Sequence, residues 1–388
     1  MRPRTLLALA VTAAFAACDS SPGSRPEGLA AVNSAKWTVD ASPLRSISGT
    51  FGVDSLTPFG DVVGAARFSD GGFAIADGHT LTLEFFSRRG DYLRTVGGKG
   101  IGASQFARLT DVLRCGDSLY VRDLELRQYK VFSSDGTMAR RFALPLDSSG
   151  LEAVSSACNA NATFIHYARE SNEDLPLNSQ VRRLIVPFWL SGPTGSRQAN
   201  LGSHHGLERW FVRTAGGVGF TTLPLGKVSL VAIGNSRAYI GTADSFAIDV
   251  YALNGNHTGV IRKAVNTHAT TPADIERYKL RDTTGVPADR IEYKKREWQT
   301  MEFSRTLPAY TALIVDSADN LWVREQPLAT GEFVEWVIFS PSGAELAHID
   351  LPQSFHVYEI GSDYVLGGTV DPVTGIQIVR SLALNRAP

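Results

Sequence analysis

Three segments of this chain repeat the pattern Phe-Ser-x-x-Gly, and a short alternating stretch follows each copy. They run FSRRGDYLRTV from Phe86, FSSDGTMARRF from Phe132 and FSPSGAELAHI from Phe339. Phe86 and Phe132 are 46 positions apart, and the intervening chain divides into short apolar segments separated by Asp- and Gly-rich turns. A period of about 40–50 residues with four strands per repeat is typical of a β-propeller blade. We interpret each Phe as the end of a third strand and the Ser and Gly as the hairpin into the fourth.

More divergent copies of the repeat follow at residues 151–201, 228–265 and 308–351, and residues 355–384 offer three further strands. The alternating segment 37–48 has no repeat of its own. We expect it to supply the missing outer strand of the last sheet and close the ring, because this would cover an exposed sheet edge. The sequence therefore predicts an all-β fold, a six-bladed β-propeller over residues 36–388.

The two best-preserved repeats are FAIADGHTLTLEFFSRRGDYLRTVGGKGIGASQF and LYVRDLELRQYKVFSSDG, with an Asp after the second strand at Asp77 and Asp123. On these elements, residues 61–144 resemble NHL-type repeats of six-bladed β-propellers. The chain departs from that family where Arg108 and Leu109 stand in place of the usual proline. The resemblance implies a scaffold that serves mostly for binding and sometimes for catalysis, so it is a weak guide to function.

The N-terminus has the layout of an export signal. Arg2 and Arg4 precede an apolar run over residues 6–17. That run is shorter than the about 20 residues needed to span a bilayer, so we interpret residues 1–17 as a cleaved signal peptide.

The signal ends in FAAC, which resembles the lipobox of bacterial lipoproteins, with Cys18 as the lipidated residue. Residues 18–35 are rich in Ser, Pro, Gly and Ala, as expected of a flexible tether. We therefore expect a lipid-anchored protein of the cell envelope that faces the periplasm or the exterior. The alternative is an A-x-A site at residues 14–16, which would release a soluble periplasmic protein.

Two cysteines remain after Cys18, and each follows the first strand of a repeat. Cys115 and Cys158 lie in neighbouring repeats, and an exported protein meets conditions in which disulfides persist. A bridge between the two repeats is one interpretation. Two buried free thiols are the other.

Two long segments, residues 202–226 and 266–306, do not fit the blade period. Both fall between the last strand of one blade and the first strand of the next. In a propeller these connections emerge on the same face as the turns between second and third strands. We therefore expect both segments to gather over one mouth of the central channel.

The second of these segments has helix signals. Pro272 with Asp274 indicates a helix start, and Pro287 begins a second helix whose apolar side includes Trp298 and Met301. The sequence predicts a helical cap in which Trp298 and Met301 pack over the channel.

The capped face should also carry polar side chains from the turns between second and third strands, where a propeller can hold a ligand. The candidate ligand-binding residues are Asp77, His79, Arg122, Asp123, His166, Asp244, Arg324 and Glu325. The alternative is structural, because aspartates accept hydrogen bonds from turn amides and arginines pair with carboxylates between blades.

Motifs for catalysis or nucleic-acid binding are absent from the sequence. It has no H-x-x-x-H, H-E-x-x-H or G-x-S-x-G pattern, and the adjacent His204 and His205 would point to opposite faces of a strand. Lys and Arg number 38 against 39 Asp and Glu, which argues against a nucleic-acid partner.

We therefore expect a monomeric, non-enzymatic binding propeller that needs no cofactor or metal and meets the membrane only through its lipid anchor. Its capped face would recognise a small polar ligand, a peptide or a protein partner. The alternative is a metal-dependent hydrolase or lyase of the sugar-lactonase type, whose ligands would be scattered over separate blades.

Overall fold

The computed structural model describes residues 34–51, 56–147, 150, 152–168, 178–214, 217–265, 268–283, 286, 288–327 and 331–386. These residues form six sheets of four or five strands, one two-stranded hairpin and two helices. The predicted signal peptide 1–17, the lipidation site Cys18 and most of the predicted tether 18–35 lie outside the described residues.

Five short strands open the described chain: β1 (Ala35–Lys36), β2 (Thr38–Val39), β3 (Arg45–Ile47), β4 (Gly49–Phe51) and β5 (Leu56–Pro58). The first sheet then contains β6 (Val62–Arg67), β7 (Phe73–Asp77), β8 (Thr82–Phe86) and β9 (Tyr92–Gly97). The second contains β10 (Leu109–Cys115), β11 (Ser118–Asp123), β12 (Gln128–Ser133) and β13 (Met138–Ala143). Both are antiparallel, with each strand paired to its sequence neighbour.

The repeated Phe-Ser-x-x-Gly pattern has the predicted structural role. Phe86 ends β8, Phe132 lies at the end of β12, and both rings are buried. The following Ser87 and Ser133 begin the hairpins, in which Gly90 and Gly136 take positive φ angles of 90° and 79°. A side chain with a Cβ rarely adopts that conformation, which explains the Gly in each copy.

The third sheet contains β14 (Ala153–Cys158), β15 (Phe164–Ala168), β16 (Gln180–Ser191), β17 (Arg197–Thr214) and β18 (Gly217–Thr222). Residues 202–226, which the sequence suggests to be an irregular connection, largely continue this sheet. The reason is the length of β16. The backbone groups in its first half need hydrogen-bond partners, and the second half of β17 supplies them, with Gln180 opposite Phe211.

The fourth sheet contains β19 (Leu230–Ile233), β20 (Arg237–Gly241), β21 (Ala247–Ala252) and β22 (His257–Arg262). The predicted cap follows as α1 (Pro272–Thr283) and α2 (Ala288–Thr300). The fifth sheet contains β23 (Tyr310–Val315), β24 (Leu321–Glu325), β25 (Phe333–Phe339) and β26 (Glu345–Pro352). The sixth contains β27 (His356–Ile360), β28 (Tyr364–Val370) and β29 (Gln377–Asn385).

The N-terminal strands complete the last two sheets. β2 and β3 both pair antiparallel with β29, which confirms the predicted closing role of residues 37–48. β1 in addition pairs in parallel with β26 of the fifth sheet. Trp37, between β1 and β2, packs with Trp322 and Trp336 in the core between these sheets.

The six sheets are arranged in a ring around a central channel. The first strands β6, β10, β14, β19, β23 and β27 each contact the next one, and β27 contacts β6. Apolar clusters fill the spaces between neighbouring sheets, such as the one that joins the first and second sheets around Phe85, Phe106 and Phe132. The protein is therefore a β-propeller with a two-helix insertion.

Cys115 and Cys158 form a disulfide with a sequence separation of 43. They end β10 and β14, so the bond links the second and third sheets. Of the two interpretations open from the sequence, the structure shows the bridge.

Candidate functional site

A cavity of about 650 Å³ lies under α1, on the face where connections between sheets emerge. Its walls come from α1, from the connection that follows β18 and from the start of β23. Residues after β24 and after β26 complete the lining. The cavity is therefore at the face that the sequence predicts to be capped.

The start of α1 is fixed by a reciprocal capping arrangement. Asp274 is buried, and its Oδ2 accepts hydrogen bonds from the Thr271 backbone N–H at 2.9 Å and the Thr271 hydroxyl at 2.6 Å. The Asp274 backbone N–H in turn donates to the Thr271 hydroxyl at 3.3 Å. Pro272 is the first helical residue, where its missing N–H costs nothing.

Arg277 holds the middle of α1 over the fifth sheet. Its Nη1 donates to Oε1 of Gln353 at 2.9 Å, and its Nη2 donates to the carbonyl of Pro327 at 2.7 Å. Gln353 follows β26 and Pro327 follows β24, so one side chain connects the helix to two connections of the propeller. This explains how a helix with one buried residue, Asp274, keeps its position.

The second helix stacks on the first. Trp298 donates from Nε1 to Oδ2 of Asp282 at 3.2 Å, and Lys294 forms an ion pair with the same carboxylate at 3.0 Å. Trp298 and Met301 are half-buried and are not part of the cavity lining. The wall over the cavity is formed by α1, and the packing of these two side chains over the channel stays a prediction.

Three arginines line the cavity. Arg277 and Arg281 are four residues apart on α1 and therefore share a helix face. Arg324, at the end of β24, donates from Nη1 to the Thr311 hydroxyl at 2.9 Å and from Nη2 to the Gln353 carbonyl at 3.3 Å. These neutral partners orient the guanidinium group without neutralising its charge.

The three guanidinium groups lie close enough together for their charges to affect the pKa of Arg324 and Arg277. Burial, followed by the charges of Arg281 and Arg277, lowers the pKa of Arg324. Burial is also the largest cause of the lowered pKa of Arg277; Arg281 adds to it, and Asp274 opposes it. Arginine remains charged in proteins despite such shifts, so the cavity has a positive lining.

Of the eight candidate residues, all within the described part of the chain, Arg324 lines this cavity. Asp77 and Asp123 instead have matching structural contacts. Asp77 accepts hydrogen bonds from the backbone N–H groups of Gly60, Asp61 and His79. Asp123 accepts them from those of Ala107, Arg108 and Leu126. Each carboxylate thus ties the linker before its sheet to the turn after its second strand.

Arg122 and His166 lie in the packing between the second and third sheets. Arg122 donates to Asp111 at 3.4 Å, and His166 forms a hydrogen bond with the buried hydroxyl of Ser191. Burial is the main reason that the pKa of His166 falls to about 3, and the charges of Arg197 and Arg122 lower it further. His166 is thus held neutral in a buried position.

Of the remaining candidates, Asp244 and His79 are exposed and Glu325 is half-buried. Asp244 pairs with Arg183 at 2.7 Å, and Glu325 pairs with Lys263 at 2.8 Å. His79 is exposed in the turn after β7. Ligand binding by these residues stays a prediction.

Sequence reasoning missed Arg277, Arg281 and Gln353. The first two had a local signal, because the predicted helix start at Pro272 places Arg277 and Arg281 on one face. Gln353 had none, since it reaches the site only when the fifth sheet is folded beneath the cap.

A second cavity, of about 410 Å³, lies at the other end of the channel, where the first strands of the sheets end. Its charged side chains have partners within the protein. Both oxygens of Glu359 accept hydrogen bonds from Arg114 at 3.0 Å, and Asp316 accepts one from the Trp322 indole at 2.9 Å and pairs with Arg386 at 3.0 Å. The capped cavity is therefore the better candidate for a ligand site.

The described residues contain no group of three or more His, Cys, Asp or Glu side chains arranged to hold a metal ion. No helix in this part of the chain is long and apolar enough to cross a membrane.

No model of a known protein family matches the chain. A search of curated proteins likewise finds no match.

Similar solved structures include a candidate exported protein from Bacteroides fragilis, with 11% identity, TM-score 0.48, and coverage of 89% of this chain and 95% of the other. A member of the DUF4221 family from Bacteroides vulgatus has 8% identity, TM-score 0.48, and coverage of 90% and 99%. A streptogramin B lyase has 10% identity, TM-score 0.38, and coverage of 88% and 98%. Because these TM-scores are below 0.5, the β-propeller fold of this chain rests on its own strand pairing.

Proposed function

We propose that this protein is an exported, envelope-anchored β-propeller that binds a small polar ligand in the cavity under α1. Each of the six sheets is one blade of the ring in this proposal. The observation that carries it is the cavity itself. Its volume of about 650 Å³ is within the range of small-molecule sites, which are concave and contain a few oriented polar groups.

The guanidinium groups of this cavity are held in place by contacts with the protein. Arg324 is oriented by Thr311 and Gln353, and Arg277 by Gln353 and Pro327. The contacting oxygens of Arg324 are neutral, so its positive charge can attract an anion, and side chains that are already ordered lose less entropy on binding. The cavity favours a small ligand over the peptide or protein partner that the sequence also allowed.

Removal of the cap tests the binding function. The backbone N–H of Thr270 donates to the carbonyl of Arg305 at 3.0 Å, so the two ends of the insertion lie side by side. We would replace residues 271–303 with a Gly-Ser-Gly-Ser turn. The helices contribute one buried side chain, Asp274, so the fold should persist, while compounds that raise the melting temperature of the wild type should lose their effect.

Two results would contradict this function. Compounds that stabilise the deleted protein as strongly as the wild type would place the site elsewhere. Unfolding of the whole propeller would show that the insertion is part of the core. Metal analysis checks the enzymatic alternative, because a stoichiometric divalent ion retained through gel filtration would favour a metal-dependent hydrolase or lyase.

The anchoring part of the proposal rests on the FAAC sequence and the residues after it. A Cys18→Ala variant should leave the membrane fraction or keep an uncleaved signal, since the lipidated residue is removed. Membrane partition equal to that of the wild type would contradict lipid anchoring.

A further inference from the structure

The lining of the capped cavity has an excess of positive charge. Among the described residues, the lining contains three arginines, Arg277, Arg281 and Arg324, and one acidic residue, Asp274. The Oδ2 atom of Asp274 already accepts two hydrogen bonds from Thr271. The acid therefore caps the helix and offsets only part of the charge.

Such a cluster costs free energy when the cavity is empty. Arg277 and Arg281 are like charges at positions i and i+4 of a helix, which destabilises the helix. Partly buried charges are normally paired, since removal of a charge from water is costly. The chain nevertheless orients Arg324 with the neutral oxygens of Thr311 and Gln353, so the negative charge of a bound ligand would stabilise the arrangement.

The three arginines differ in their structural roles. Arg277 and Arg324 have hydrogen bonds to the propeller that position them. Arg281 is exposed, and its guanidinium lies 5.9 Å from the centre of the Tyr278 ring, within the range of a cation–π contact. Arg281 can therefore be replaced with little effect on the fold, which makes it the residue to test.

The rest of the lining is largely neutral and in part apolar. Pro224, Leu225, Pro308 and Pro327 contribute apolar surface, and the Tyr278 ring lies beside the arginines on α1. A cavity with a cationic end and apolar walls suits a small organic anion. Guanidinium groups match the geometry of carboxylate and phosphate oxygens, with which they form charge-assisted and often bidentate hydrogen bonds.

We propose that the ligand of the capped cavity carries an oxyanion, a carboxylate or phosphate group, which Arg277, Arg281 and Arg324 bind together. This inference rests on the proposed binding function and names its ligand class. Arg281 is the ligand-facing charge of the helix, while Arg277 also fixes the helix over the site.

The test uses two probe anions, inorganic phosphate and citrate, on the full mature chain at constant ionic strength maintained with sodium chloride. Calorimetric titration and the melting temperature report binding. We expect saturable binding of at least one probe, and the stronger probe identifies the preferred oxyanion. Arg281→Gln should weaken that binding at least about tenfold, which corresponds to about 1.4 kcal/mol.

The matched control is Arg296→Gln, the same substitution on α2 at an exposed residue outside the cavity lining. It changes the net charge equally, so it should bind the probes as the wild type does. An equal loss in both variants would indicate a long-range charge effect and would overturn the inference. So would the absence of saturable binding of either anion by the wild type at millimolar concentration.

Different results would contradict the binding function and the oxyanion ligand. A neutral or cationic compound that stabilises the wild type and Arg281→Gln equally, but not the protein without residues 271–303, would leave the binding function intact and refute the oxyanion. An anion that binds the cap-deleted protein as tightly as the wild type would refute both.

Discussion

Replacement of Asp123 by Ala tests whether the aspartates that end the second strands are structural. Asp123 is fully buried and accepts hydrogen bonds from the backbone N–H groups of Ala107 at 3.0 Å, Arg108 at 3.1 Å and Leu126 at 3.1 Å. The Nζ atom of Lys130, also fully buried, lies 3.8 Å from the carboxylate. The substitution therefore leaves three amides without their acceptor and one buried cation without its counter-charge.

The expected cost follows from these contacts. A hydrogen bond to a charged group contributes about 1.5–3 kcal/mol, and contacts of one group do not add fully. The loss of one partner of a buried ion pair costs about 3–5 kcal/mol. Lys130 keeps its hydrogen bonds to the carbonyls of Gly102 and Gln105. We expect a loss of about 3–5 kcal/mol, which for a unit of this length lowers the melting temperature by roughly 4–7 °C.

Urea unfolding followed by circular dichroism measures the change, and Asp244→Ala is the control. Asp244 is an exposed candidate whose ion pair with Arg183 contributes at most about 1 kcal/mol. Lys130→Met in the Asp123→Ala background should recover part of the loss, because it removes the unpaired cation. A stability of Asp123→Ala within about 1 kcal/mol of the wild type, combined with lost ligand binding, would refute the structural role.

Two further predictions concern stability. Replacement of Cys115 and Cys158 by Ala opens a loop with a sequence separation of 43 and should cost about 2–4 kcal/mol; unchanged urea midpoints would contradict a stabilising bridge. His166 stays neutral in the folded protein because burial lowers its pKa from 6.5 to about 3, while the unfolded chain takes up a proton near pH 6.5. The free energy of unfolding should therefore fall as the pH drops from 6.5 towards 3, by up to about 1.4 kcal/mol per pH unit. A His166→Gln variant with the same pH dependence as the wild type would show that another group is responsible.

Local patterns in the sequence predict much of this architecture. The Phe-Ser-x-x-Gly copies mark the hairpins between third and fourth strands, because the need for a buried ring and a Gly with positive φ is met within a few residues. The start of α1 follows in the same way from Thr271, Pro272 and Asp274, whose capping contacts join near neighbours in the chain.

The sequence was less informative where partners are distant. Residues 202–226 lack a blade pattern, and most of them form strands, because the long β16 pairs with β17 and β17 in turn pairs with β18. Asp77 and Asp123 are conspicuous polar residues at strand ends, yet whether such a carboxylate faces a ligand or a linker amide depends on the path of the preceding connection.

The candidate site also combines a feature that the local sequence determines with one that depends on distant partners. The helix face with Arg277 and Arg281 is determined by the 3.6-residue period of a local element. The meeting of that face with Arg324 and Gln353 was decided by the tertiary structure, because α1 reaches them only after the fifth sheet is in place. Turn and cap chemistry acts over a few residues and is visible in the sequence, whereas this cavity collects side chains from position 222 to position 354 and exists only once the sheets that carry them are packed together.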